Sequence, residues 1–135
     1  MRGRSSAQLL AQAAGVGLVV LGLAGFFYNG EFTANHAVHD DMFGLFRVNG
    51  WHNTLHVASG AIGLVMASSP ARSRDYALGT GVLYLGLAIW GFAIGSGHSI
   101  LSIVPVNLAD NLLHLAIGVA GLAAGISSSR ATVPV

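Results

Sequence analysis

The chain has 135 residues, of which 53% are apolar and only 8% charged, and its mean hydropathy is +0.67. A water-soluble domain of this size does not carry such a composition, so the medium around it is lipid. A formal net charge of +1 without any basic run leaves no nucleic-acid footprint, and the lack of cysteine removes disulfides, thiolate metal sites and thiol catalysis.

From Leu9 to Tyr28 the chain is apolar apart from Gln12, matching the roughly 20 residues that a helix needs to cross a bilayer core. The spacing predicts a first helix over 8–28. Basic residues before it, Arg2 and Arg4, also suit a signal peptide, but Gly15-x-Gly17-x-x-x-Leu21-Gly22-Leu23-Ala24 recurs as Gly79-x-Gly81-x-x-x-Leu85-Gly86-Leu87-Ala88. The first helix therefore has a retained counterpart. A polar segment follows, in which Asn35-His36-x-x-His39-Asp40-Asp41 offers donors for a structural ion, although such loops are usually only solvated.

A second helix is expected over 45–67, a third over 75–95 and a fourth over 107–127. The second and fourth are the less apolar, and each spans a bilayer only if the Asn/His turns at its start are helical. They are tied together by sequence: Val48-Asn49-x-x-His52-Asn53-x-Leu55-His56-x-Ala58-x-Gly60-x-x-Gly63-Leu64 returns as Val106-Asn107-x-x-Asp110-Asn111-x-Leu113-His114-x-Ala116-x-Gly118-x-x-Gly121-Leu122. The fold expected is an all-α integral membrane protein, one domain over residues 1–135, with four transmembrane helices as a tandem repeat of two helical hairpins. Arg2, Arg4, Arg72, Arg74 and Arg130 fall on one side, with Arg47 the exception, so both termini are expected in the cytoplasm. Tyr28, Trp51 and Trp90 then fall near the outer interface, and His98 stands alone in its loop.

At about 100° per residue, Asn49, Asn53 and His56 share a helix face, as do Asn107, Asn111 and His114. Continuing by steps of four and three reaches Gly60, Gly63 and Ala67 in one copy and Gly118, Gly121 and Gly125 in the other. Small residues at that spacing mark a close helix contact, with Asn and His as hydrogen-bonding glue. One reading is therefore a structural seam in which helix two packs against helix four. Another is ligation: His56 and His114, at matching positions, would hold a haem or a chlorophyll-type pigment between them. A third uses the positions where the copies differ, so that His52, His56, Asp110 and His114 would hold a metal ion or move protons. No Ser/His/Asp nucleophile set can be assembled, and no enzymatic activity is expected.

The run Phe43-Gly44-Leu45-Phe46-Arg47-Val48-Asn49-Gly50-Trp51-His52-Asn53-Thr54-Leu55-His56, with Gly60, Gly63, Val106-Asn107 and Asp110-Asn111-Leu112-Leu113-His114-Leu115, resembles a family of small bacterial membrane proteins grouped as domain of unknown function 4383. The resemblance extends from about Leu18 to Gly125, departs at the acidic, His-bearing segment after helix one, and implies four helices in a bacterial inner (plasma) membrane. It implies no activity, substrate or cofactor. The function expected is that of a structural or accessory subunit in lipid, joined to copies of itself or to a larger membrane complex.

Overall fold

A computed structural model describes residues 3–34 and 41–128. Helix α1, Ser6–Tyr28, starts at a reciprocal cap in which Ser5 accepts from the Gln8 backbone and Gln8 accepts from the Ser5 backbone. Helices α2 (Gly50–Met66), α3 (Pro70–Ile94) and α4 (Leu108–Ser127) follow. Asn49 and Asn107 cap α2 and α4, and Pro70 opens α3, where its missing N–H costs nothing.

Two short antiparallel hairpins separate the helices: β1 (Asp41–Met42) with β2 (Phe46–Arg47), and β3 (Ser99–Ile100) with β4 (Val104–Pro105). Each turns over three residues with left-handed backbone at its tip, Phe43 and Gly44 in the first and Leu101 and Ser102 in the second. The second helix thus begins at Gly50 instead of 45, because the residues before it form strand and cap. Asn49 and Asn107 are correspondingly caps and not members of the helical stripe. Helix three begins earlier than 75, since Ala67, Ser68 and Ser69 suffice to reverse the chain before Pro70.

Side chains are distributed inside out relative to a protein in water. Leu9, Val16, Val20, Val65, Val82, Ile89, Val119 and Ile126 are exposed, whereas Asn49, His52, Asn53, His56, Asp110, Asn111 and His114 are buried. A lipid environment makes this arrangement stable, because apolar tails solvate the outer faces and polar groups must find protein. α1, α3 and α4 are long and apolar enough to cross a membrane. α2 has 17 residues, about 25 Å at 1.5 Å per residue, and does not reach that length.

The glycine seams determine which helices pair. Gly60 of α2 lies against Gly15 and Val19 of α1, and Gly22 of α1 lies against Asn53 and Val57 of α2. Gly118, Gly121 and Gly125 of α4 lie against Leu85, Ala77, Gly81 and Leu78 of α3. The main contacts are therefore α1 with α2 and α3 with α4, not the expected α2 with α4. A glycine contributes only what stands directly before it, and short connections make sequential helices antiparallel neighbours. At one end Ala7 N–H donates to Ser128 Oγ at 3.0 Å, Gln8 to Ala67 O at 3.2 Å and Arg74 to Ser128 O at 3.1 Å. The hairpins close the other end.

Candidate metal centre

Each capping Asn does two things. Its oxygen accepts from the third backbone N–H of its own helix, His52 N–H at 2.9 Å for Asn49 and Asp110 N–H at 3.0 Å for Asn107. Its amide then crosses to the opposite hairpin: Asn49 donates to Ile103 O at 2.8 Å and Asn107 to Leu45 O at 2.8 Å. These crossed bonds bring the first turns of α2 and α4 together under the two hairpins. Asn53 and Asn111 press their amide oxygens onto Gly25 and Gly91, where a Cβ has no room, and Asn53 donates to the last carbonyl region of α1 at Asn29 O, 2.8 Å away.

His52 lies about 100° round α2 from Asn53, so while Asn53 faces α1, His52 and His56 reach into the middle of the bundle. There they meet His114 of α4. The His52 and His56 rings are 4.4 Å apart between centroids, His52 and His114 5.8 Å, and His56 and His114 6.3 Å. One nitrogen from each can be chosen so that all three lie within 4.8 Å of one another, and the three residues are 1–3% exposed. Tyr84 of α3 packs edge-on against His114 at 5.4 Å, and its hydroxyl is 2.9 Å from Ser59 Oγ.

A neutral imidazole has one N–H and one lone pair, and both want partners when water is excluded. His52 Nδ1 is 2.9 Å from the Arg47 carbonyl, which can only accept, so the proton of the neutral ring belongs on Nδ1; the Pro105 carbonyl also lies beside the ring, and Nε2 makes no hydrogen bond. That Nε2, both nitrogens of His56 and Nδ1 of His114 are buried without a hydrogen-bond partner. Such a concentration of unmet polar atoms is costly wherever water is excluded. A cation among them removes much of that cost, since each deprotonated imidazole nitrogen is a good ligand for Zn, Cu, Fe or Ni.

Of the four residues expected to hold a metal, the structure brings together His52, His56 and His114. Asp110 stands outside the group: its Oδ2 accepts from Arg47 N–H at 3.0 Å and from Asn107 N–H at 3.0 Å. It acts on the cluster indirectly, because the Arg47 residue whose N–H it holds also offers the carbonyl that orients His52. For a macrocycle between His56 and His114 the fit is poor. His52 lies 4.4 Å from His56 and 5.8 Å from His114 between ring centroids and so occupies the ground beside them that a porphyrin or chlorin would need.

Tyr84, Ser59 and the Arg47 carbonyl were not legible as parts of the site; the only signal was that Tyr84 and Ser59 are polar groups within otherwise apolar stretches. The suggested ion-binding segment Asn35, His36, His39 and Asp40 lies outside the described residues, and Asp41 pairs instead with Arg47 at 3.0 Å. His98 lies just before β3, where its carbonyl accepts from Val106 N–H at 3.1 Å.

Residues 8–127 match the family model described as Domain of unknown function (DUF4383), and the chain belongs to that family. No curated protein and no solved structure matches the chain.

Proposed function

We propose that this protein is a small metal-binding component of a membrane assembly, holding one transition-metal ion with His52, His56 and His114. The observation that carries the reading is that one nitrogen from each of His52, His56 and His114 can be chosen so that all three lie within 4.8 Å, in a cluster of rings that bear buried nitrogens without hydrogen-bond partners. Ligands about 2.0 Å from an ion stand about 3.5 Å apart, so an ion would draw the three nitrogens closer together than 4.8 Å. The role is one of binding and not of catalysis, and the structural or accessory function expected from composition is retained: Gly17, Gly79 and Gly86 leave open space at the backbone of α1 and α3, where another helix, from a second copy or a larger complex, would pack. A haem or pigment on His56 and His114 is a weaker reading, since His52 lies beside both.

The proposal includes a topology. Two related hairpins, α1 with α2 and α3 with α4, cross the inner membrane of a bacterium, the short α2 completing its crossing with the β-hairpin before it, and Arg4, Arg72 and Arg74 mark the cytoplasmic end. Because the chain has no cysteine, single cysteines placed at Arg4 and Phe43 can be labelled from either side with a membrane-impermeant reagent. Labelling of both from the same side would defeat the topology.

The metal reading is tested by elemental analysis of protein purified without chelators. Close to one transition-metal ion per chain is expected for the wild type and a small fraction of that for His56→Ala and His114→Ala. Equal content in wild type and variants, or a strong Soret band, would defeat it.

A further inference from the structure

Resting on the three-histidine reading, we infer that the ion is copper(I). Imidazole is a borderline ligand that accepts Zn, Cu, Fe and Ni alike, so the donor atoms alone do not choose. Charge and coordination number do.

The ligands available are three neutral groups. The chain has no cysteine to give a thiolate. Asp110, the carboxylate in the first turn of α4, lies outside the group of ring nitrogens within 4.8 Å and its Oδ2 accepts from two backbone N–H groups, while the Tyr84 hydroxyl is hydrogen-bonded to Ser59. Taking an ion out of water costs an amount that grows as the square of its charge, so a divalent ion here bears about four times the desolvation penalty of a monovalent one. Divalent ions in buried sites usually share that penalty with an anionic ligand, and the ring cluster contains none.

Geometry points the same way. Zn²⁺ is almost always four-coordinate, and Cu(II) prefers a tetragonal field. Either needs a fourth donor or more beside the imidazoles. The cluster is 1–3% exposed, Tyr84 packs against the His114 ring, and the apolar cavity of about 310 Å³ lined by Gly17, Leu18, Leu113 and Ile117 among others includes none of the three histidines. Cu(I) has a filled shell and is stable with three nitrogen ligands, so it needs neither an anion nor a water. The Arg47 carbonyl on His52 Nδ1 fixes one ligand in the orientation that presents Nε2 to the ion. Holding copper in so closed a site disfavours oxidation to Cu(II), which would demand further ligands.

The test uses full-length protein in detergent or nanodiscs. Cu(I) is added anaerobically in competition with a chromophoric Cu(I) chelator, and Zn(II) separately against a zinc indicator. Wild type is expected to take one Cu(I) per chain, with Zn(II) at least a hundredfold weaker, and the bound copper is expected to stay silent in electron paramagnetic resonance after exposure to air. X-ray absorption of the wild type should report three nitrogen neighbours, which keeps the test sound even if His52→Asn or His56→Asn does not fold. Zn(II) bound as tightly as Cu(I), or an air-generated Cu(II) signal from bound metal, would overturn the copper assignment while leaving the three-histidine centre standing. Retention of no metal at all by folded wild type would overturn both.

Discussion

Replacing Gly121 by Ala tests whether the paired helices are as close as the glycine seam requires. A Cβ at that position would stand 2.8 Å from the Ala77 carbonyl oxygen, 2.8 Å from Gly81 Cα and 2.9 Å from Gly81 N, where ordinary contact is 3.4–4 Å. All three atoms belong to the backbone of α3, so no side chain can turn aside and the helices must part by most of an ångström. Gly118 and Gly125 share the same seam and lose contact as it opens. Overpacking of this kind costs roughly 1–3 kcal/mol, and exchanging Gly for Ala within a helix returns up to about 1 kcal/mol, leaving a net loss of about 1–2 kcal/mol. For the isolated chain in detergent, with no second helix on that face, Gly17→Ala is the matched control, since nothing in the chain lies within 4 Å of the added methyl, and it should be neutral or slightly stabilising. Reversible unfolding by SDS in mixed micelles, followed by circular dichroism, compares the two. Equal or greater stability for Gly121→Ala would refute the reasoning, because it would mean that α3 and α4 already stand far enough apart to hold a methyl group.

Gly91→Ala places its methyl on the Asn111 amide oxygen, so it should destabilise by about 2 kcal/mol, and combining it with Asn111→Ala should recover part of the loss as a coupling of about 0.5–3 kcal/mol. Strict additivity in the double-mutant cycle would count against that contact. Asn107→Ala removes both a helix cap and the bond to Leu45 O, for a combined cost of about 2 kcal/mol in the same unfolding assay. If the cost is no larger than that of a cap alone, the crossed bond contributes nothing. Asp110→Ala frees the Arg47 N–H and loosens the residue whose carbonyl holds His52, so metal affinity should fall by about 10–100-fold with helical content unchanged. Unaltered affinity would assign the positioning of Arg47 to its hairpin and to Asp41 instead.

Much of the fold can be read in the sequence because membrane helices declare themselves by long apolar runs, and α1, α3 and α4 do so. The small-residue spacing at Gly60, Gly63, Gly118 and Gly121 likewise identified surfaces of close contact. Which helix each seam faces was not readable, since spacing gives a face but not its neighbour. The hairpins were hidden for another reason. Their strands have two residues each, too few for an alternating pattern, and Phe43, Leu101 and Ser102 adopt left-handed backbone without being glycine, so three of the four left-handed tip positions carry no turn signal. Without the hairpins, Asn49 and Asn107 read as helical residues and the Arg47 carbonyl could not be placed against His52. Of the site, His56 and His114 were legible from their matching positions, while His52 stood out only as a departure from Asp110.

On the proposed three-histidine reading, that departure supplies the third donor. His52 and Asp110 hold matching places in the two related motifs, and Arg47 and Pro105 hold matching places in the two hairpins, each paired across its ladder with the first strand residue, Asp41 or Ser99. On one side the hairpin offers the Arg47 N–H, a buried donor that needs an acceptor, and the Asp110 carboxylate supplies it while also accepting from Asn107 N–H. On the other side the matching residue is Pro105, which has no N–H to satisfy. A carboxylate there would be buried with one donor fewer, at a cost that a neutral ring avoids. With an imidazole in its place, Nδ1 turns to the Arg47 carbonyl and Nε2 is left for the ring cluster. The proline in one hairpin and the third imidazole of the cluster are thus two sides of a single break in the symmetry between the motifs. A strictly symmetric pair of halves, with aspartate at both places, would have retained only the two histidines at His56 and His114, one short of the three donors of the proposed centre.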